Sequence, residues 1–575
     1  MAQGVEMIKK YILSIILSIL IITPVFATTY YVDPDAGDDT AAGTIGVPWE
    51  HLPGTRNAGD TDFICAGGCS GWAGIVADDT IKIKSGTTHG GGQVQIDGSY
   101  YADTTLANPI TIQRDTTWGT GSVIFDGTGV TVGGGGWGLI HIRRQGGYII
   151  DGVAGVGTAY DGFIVQDSAY CGISTHPGNT TAYAPNKFQY IKFHNNGTTY
   201  SAAENASDGQ LRIYHHTTGT IVNYCEFSGN SMMLQGISMG DSSARVLGAT
   251  VSNCVAYNHA GTDDGGIGFK AQNSQITWTN CTSYSNYKGF DLGENGGTTS
   301  WDITYKLVNC TAYSNDFGAN FSLYGYEGAW SGAVNFYLIN CVIRDNSVIG
   351  SKVYAGPFNL YVVHSVYDNN PINLSVNRDG LSDANTINAY IYNSIFYKPT
   401  GTDGNVDHLY WEDVGDPMDV DSDYNSYIQN DSEYFKQTGG YGGGSDVTNF
   451  SYGANGPGHA SGTWYDFQSW NNDANSVGTG ATDTTEPPFT DVSGHDYTLT
   501  VAYVGLDISG LGWYTSEMGV DRDSVARVGD WDMGAYEFAS GAPPPVDPPA
   551  GLAITGGTGT CLTGGTGSQI TGATD

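Results

Sequence analysis

The stretches NYCEFSGN (residues 223–230), SNCVAYNH (252–259), TNCTSYSN (279–286), VNCTAYSN (308–315) and INCVIRDN (339–346) are variants of one phrase. Their cysteines, Cys225, Cys254, Cys281, Cys310 and Cys341, recur at steps of 29, 27, 29 and 31 residues. A period of this size means a solenoid, a propeller or an array, and the content of the repeat decides among them. Between the phrases lie short alternating runs, QGISMG, GGIGFK, KGFDLG and GANFSL, bounded by Gly, Asn, Ser and Asp, with no amphipathic helical stretch long enough to fill a repeat. Each repeat therefore reads as one coil of stacked strands. The expected fold is all-β: a single-stranded right-handed parallel β-helix, a solenoid with N- and C-terminal caps.

A solenoid grows by adding coils to one continuous core, so 575 residues do not by themselves demand several domains. Lys and Arg number 22 against 58 Asp and Glu, a formal charge of −36, which makes nucleic acid a poor partner. The same excess repels acidic polysaccharides unless a divalent cation or a local basic patch overrides the average. At the N-terminus, Lys9 and Lys10 precede an apolar run from Tyr11 to Ile22, then Pro24 and Val25-Phe26-Ala27, the parts of a secretory signal. The expected product is secreted or held at the cell surface, with no membrane span after cleavage.

The expected organisation is a signal peptide at 1–27, an N-terminal cap and first coils at 28–139, β-helix coils at 140–430, a C-terminal β region and cap at 431–540, and a Pro/Gly-rich low-complexity tail at 541–575. The five repeat cysteines occupy one position in successive coils and are expected to be free and packed in the core. Cys65 and Cys69 in CAGGC suit a disulfide or a loop metal site. Five residues after each repeat cysteine stand Asn230, His259, Asn286, Asn315 and Asn346, an asparagine ladder with one histidine rung.

On the strand after that ladder, Ile267, Phe269, Phe290 and Leu292 are expected to point inward. The outer face then carries Ser238, Gly268, Asp291 and Asn320 in one column and Gly240, Lys270, Gly293 and Ser322 in the next, with Lys270 and Asp291 diagonal across adjacent coils. Asp263, Asp264, Lys288 and Glu294 lie close by in sequence. Carboxylates grouped with a lysine suit a polyuronate lyase: a cation neutralises the sugar carboxylate and acidifies the proton at C5, and a base removes it. The plain alternative is a solvated surface of turn aspartates and one Lys–Asp pair. Aromatics following the same face, Tyr324 and Trp330 among them, suit sugar stacking as well as ordinary half-buried packing.

The segment TTYYVDPDAGDDTAAGTIGVPWEHL (28–52) resembles the entry segment of secreted right-handed parallel β-helix proteins of the pectate-lyase-like superfamily. Asp523, Arg527, Asp532, Gly534, Ala535, Tyr536 and Glu537 match the closing pattern of such proteins. Asp263 to Glu294 resembles the calcium-dependent pectate lyases of polysaccharide lyase family nine. That resemblance implies Ca2+ held by Asp264 and Asp291, with Asp263 and Glu294 as substitute ligands. Tyr287 and Lys288 stand where the family has paired aspartates, and the coil where the family keeps its lysine base reads SLYGYEGAW. Lys270 is then the candidate base, and His259, Lys288, Asn320, Tyr324 and Trp330 are the candidate contacts to an extracellular polysaccharide. The β-helix polygalacturonases carry N-T-D, D-D and G-H-G in order; only the D-D is present, so glycoside hydrolysis is the weaker expectation. The rival reading is a non-catalytic surface or matrix β-helix for adhesion or structure.

Overall fold

In a computed structural model the described residues run from Ala27 to Tyr452 and from Phe489 to Phe538. They exclude 58–74, 98–103, 131–137, 144–145, 154–159, 177–183, 198–208, 215–217, 230–234, 241–244, 260, 262–264, 296–301, 325–331, 355–357, 378–386, 399–406, 414–417, 424, 430–434, 440–448, 501–506, 528–530 and 533. The cysteines at 65, 69 and 561, the rung at 230, the signal segment 1–26 and the tail 541–575 lie outside them.

Each central coil contributes three strands. Ile267–Gln272 is followed by Gln275–Thr279 and Thr282–Tyr284, and Lys288–Asn295 then begins the next coil on the first face. Among the described residues, first-face strands stack into a 13-stranded sheet, and the second and third faces share a 24-stranded sheet. Successive coils pair in parallel; Thr55–Asn57 against Gly92–Asp97 is antiparallel. This is the all-β parallel β-helix that the repeat predicts.

The repeated Asn-Cys dipeptide builds the corner between the second and third faces. Asn253, Asn280, Asn309, Asn340 and Asn393 all turn the chain with φ between 51° and 55°, the left-handed region that asparagine tolerates better than most residues. The cysteine that follows points inside. Cys225, Cys254, Cys281, Cys310 and Cys341 are free and fully buried, as expected. Each thiol leans on a carbonyl of the preceding coil, as in Cys281 Sγ to Val251 O at 3.4 Å and Cys341 Sγ to Leu307 O at 3.3 Å. Ser365 and Ser394 continue the column, their hydroxyls accepting from the amides of Cys341 and Ser365 at 3.2 Å.

The corner between the third and first faces carries the asparagine ladder. The amides of Asn286, Asn315 and Asn346 donate to Oδ1 of Asn315, Asn346 and Asn370 at 3.0–3.1 Å. Each Nδ2 reaches back to a carbonyl of the preceding coil, Asn315 to Ser283 O at 3.1 Å for example. Gly236, Gly268, Gly289, Gly318 and Gly350 open the first-face strands beside these rungs. A Cβ on Gly289 would lie 2.4 Å from Gly318 O and 3.0 Å from Asn315 Nδ2, so the ladder needs glycine there.

The closing motif is placed differently from a cap over the last coil. The described contacts of 489–538 lie along the flank of the coils between Lys306 and Tyr397. Phe489, Tyr497, Leu499 and Ala535 cluster with Val342, Val366, Ile395 and Tyr397. Ile508, Met518 and Trp531 cluster with Val308, Ile339, Val363 and Tyr392. The physical cause is visible in the strands: Thr279 is succeeded by Val308, Ile339 and Val363, and Thr311 by Val342, Val366 and Ile395. Those coils turn an apolar face outward, and the segment covers it. Arg527 pins it there, with a side chain 0% exposed, paired with Glu537 at 2.9 Å and donating to Asn340 Oδ1 at 3.1 Å.

Candidate functional site

Register fixes the outer column of the first face. Arg212 pairs with Ser238, Ser238 with Lys270, Lys270 with Asp291, Asp291 with Asn320, and Asn320 with Lys352. Lys270 is thus directly opposite Asp291, in the column expected to hold Gly268, which corrects the diagonal placement. The glycine at 268 is the ladder glycine instead, aligned with Gly289, Gly318 and Gly350. At each of these positions Gly is followed by a residue facing inward and then by the column residue.

The column is also more enclosed than a solvent-facing strand. Lys270 is 4% exposed, Asp291 8% and Asn320 7%. A buried charge needs partners, and Asp291 has them on both oxygens: Lys288 Nζ lies 3.2 Å from Oδ2, and Asn320 Nδ2 donates to Oδ1 at 2.6 Å. Lys352 sits 4.9 Å from the Tyr354 ring centroid and Arg212 3.6 Å from that of Tyr214, each held over an aromatic face. Arg212 is a site residue that the sequence reading did not name, whereas Ser238 keeps its expected place in the outer column.

The remaining candidates divide. Asp263, Asp264 and Trp330 lie outside the described residues. Glu294 and Tyr324 are described in backbone only; Glu294 pairs with Leu323, not with a member of the charged column. His259 is 1% exposed, buried at the corner between the third and first faces. Its amide donates to Asn286 Oδ1 at 2.9 Å, and its Nε2 faces Phe227 O at 3.3 Å, the bond that Nδ2 makes on an asparagine rung. The histidine is therefore a ladder member.

The described residues do not form a calcium cage at Asp291, whose oxygens are already taken by an ammonium and an amide. The one described trio whose ligand atoms all lie within 4.8 Å of one another is Asp39, Glu50 and His51, at the N-terminal end. There Asp39 accepts from the amides of Glu50 and His51 at 3.1 and 2.8 Å and from His51 Nδ1 at 2.8 Å. Those bonds hold the Asp39 carboxyl below and the His51 imidazole above their ordinary values, against the opposing effect of burial.

Aromatic side chains of the third face also stack on one another. Tyr257, Tyr284 and Tyr313 stand in one column with centroids 4.9 Å apart and near-parallel rings, which occupies the ring faces a sugar would use. No described helix is long and apolar enough to cross a membrane.

No protein-family model matches the chain, and no curated protein matches it. Among solved structures it is similar to pectate lyase Pel9A, at 13% identity and a TM-score of 0.38 over 90% of this chain and 98% of that one. It is similar to a rhamnogalacturonan lyase at 15% identity and 0.37, over 67% and 84%. It is similar to XylC in complex with xylose at 9% and 0.47, over 89% and 98%. The assignment of the parallel β-helix rests on this chain's own strand pairing.

Proposed function

We propose that the chain is an exported β-helix that binds an acidic polysaccharide, a polyuronate, along the first face from Arg212 to Lys352, and cleaves it by β-elimination with Lys270 as the base. The observation that supports this is the local charge. In a chain of net −36, the cations Arg212, Lys288 and Lys352 gather around Lys270 on one face, and Asp291 is the acid described among them. Such a strip attracts a polyanion against the average field. Coils repeat at about 4.8 Å, so a chain lying along the axis meets a new side chain at each step.

Lys288 and Lys352 would neutralise the substrate carboxylate and so acidify the proton on the carbon beside it. Lys270, as a neutral amine withdrawn from solvent, would accept that proton and become the ammonium. The electron pair forms the double bond between C4 and C5, and the glycosidic oxygen leaves C4 and takes up a proton from solvent water. Asp263, Asp264 and Glu294 are the residues that would hold a calcium ion, which when bound would help neutralise the substrate carboxylate. The structural reading has one observation in its favour: Lys288, Asp291 and Asn320 satisfy one another without a ligand.

The test is ultraviolet absorbance of unsaturated uronate product from the purified full chain on pectate, alginate and glycosaminoglycans, with calcium and with chelator. A rise that Lys270→Ala lowers at least a hundredfold is expected. No rise on any of these polymers overturns the lyase assignment, and an equal rate with chelator removes calcium from it.

A further inference from the structure

A second site lies on a different face. Where Phe489–Leu499 crosses the third-face strands, a cavity of about 490 Å³ opens, lined by Asp345, Asp368, Tyr397, Phe489, Asp491 and His495 among others. Its size is within the range of small-molecule sites. Asp368 is 3% exposed and follows Arg344 in the column that begins with the stacked tyrosines. Its Oδ2 accepts the Tyr497 hydroxyl at 2.7 Å. Its Oδ1 is buried and has no hydrogen-bond partner. A carboxylate oxygen left so is costly and calls for an explanation, and a donor from a bound molecule supplies one.

The other walls limit what that molecule is. Asp345 is bonded by Arg344 at 2.8 Å and by Asn369 Nδ2 at 2.8 Å, and Asp491 by Ser493 Oγ at 2.7 Å and Gly494 N at 2.9 Å. Three carboxylates against one guanidinium disfavour any anionic ligand, uronates and phosphates included. A bare metal ion does not suit the site either. No three of the pocket's Asp and His ligand atoms come within 4.8 Å of one another, since among the described residues the one such trio lies elsewhere. Spread acceptors call for a ligand with several separated donors. Tyr397 and Phe489 supply aromatic surface for an apolar face, and a pyranose ring has both features.

We infer that this pocket binds a neutral or amino sugar, with one hydroxyl or ammonium donating to Asp368 Oδ1 and the ring resting against Tyr397 and Phe489. Burial pushes the Asp368 carboxyl up to about 6, in keeping with an oxygen that lacks a donor. The site is separate from the charged strip, so a chain bearing both uronate and neutral residues could be held at two points.

The experiment is saturation-transfer NMR and calorimetry on the full chain with glucose, galactose, glucosamine and galacturonate as probes. Saturable binding of at least one of the first three is expected, weakened tenfold or more in Asp368→Ala and in Asp491→Asn, and unchanged in Lys270→Gln. Glucosamine against glucose and galactose tells an amino sugar from a neutral one. Galacturonate is expected to keep the same affinity, or none, in Asp368→Ala. Circular dichroism checks each variant's fold, and Asp491→Asn, on the exposed side of the pocket, stands in should Asp368→Ala fail to fold. No saturable binding of the three probes, or binding that both pocket variants leave intact, overturns the inference whatever the outcome on polyuronates.

Discussion

Replacing Asp368 with asparagine should stabilise the protein, and only above a defined pH. In the folded state burial is the main cause raising this carboxyl from 3.8 to about 6, with Asp345 adding to it and the Tyr497 hydroxyl opposing it. The folded chain therefore holds the Asp368 proton more tightly than the unfolded chain does. Between about pH 4 and pH 6 the folded state binds more protons, so this group's effect on stability becomes less favourable as pH rises through that window. A shift of about two units corresponds to about 3 kcal/mol, fully felt above pH 6 and absent below pH 4. Asparagine keeps an acceptor for Tyr497 and cannot ionise. Urea unfolding followed by tryptophan fluorescence, which includes Trp513 and Trp531 of the flanking segment, should show the variant close to wild type at pH 4 and more stable by about 3 kcal/mol at pH 8. Every other titrating group is common to both proteins and cancels in the difference. A difference that stays constant from pH 4 to pH 8 would refute the reasoning.

Arg527→Met removes the described cation bonded to Glu537 inside the flank and should cost about 3–5 kcal/mol, releasing residues 489–538 to limited proteolysis while the coils keep their β-sheet circular dichroism. Asn315→Ala takes the acceptor from the Asn286 amide and an amide donor from the Ser283 carbonyl, a loss of about 2–6 kcal/mol at about 1–3 kcal/mol per buried group, read as a lowered urea midpoint. The thiols of Cys254, Cys281, Cys310 and Cys341 are all pushed up by burial, so iodoacetamide should label them only after unfolding, as mass spectrometry of the peptides would show. Gly293→Ala places a Cβ 2.0 Å from the Ser322 carbonyl oxygen, so it should lower the melting temperature and disturb the strip beside Asp291.

The coil architecture was legible because its two ladders need particular residues at fixed places. Asparagine turns the corner at 253, 280, 309 and 340, a cysteine follows it inside, and five residues on an asparagine, or His259 in one coil, closes the next corner. The register of the first face was harder. Hydrophobic alternation alone set Ile267 against Phe290, whereas the chain pairs Phe269 with Phe290, because Gly268 and Gly289 break the alternation to make room for the ladder. Aligning the glycines would have placed Lys270 opposite Asp291 from sequence. His259 misled for a related reason: a histidine among asparagines looks chemical, yet Nε2 can make the bond of an amide nitrogen. The flank was legible in part, in the apolar outward residues from Val308 to Ile395, but which segment covers them depends on distant chain. The pocket at Asp368 was invisible, since it joins residues more than a hundred positions apart.

The measurement that bears most directly on the central claim is calorimetric titration of the full chain with acidic oligosaccharides, polygalacturonate and alginate fragments, at low and moderate salt, for wild type and the Lys270→Gln/Lys352→Gln double variant. The account predicts saturable binding that weakens steeply with salt and falls at least tenfold in the double variant, with the fold intact by circular dichroism. Absence of binding at low salt, or binding that the double variant leaves unchanged, would contradict it.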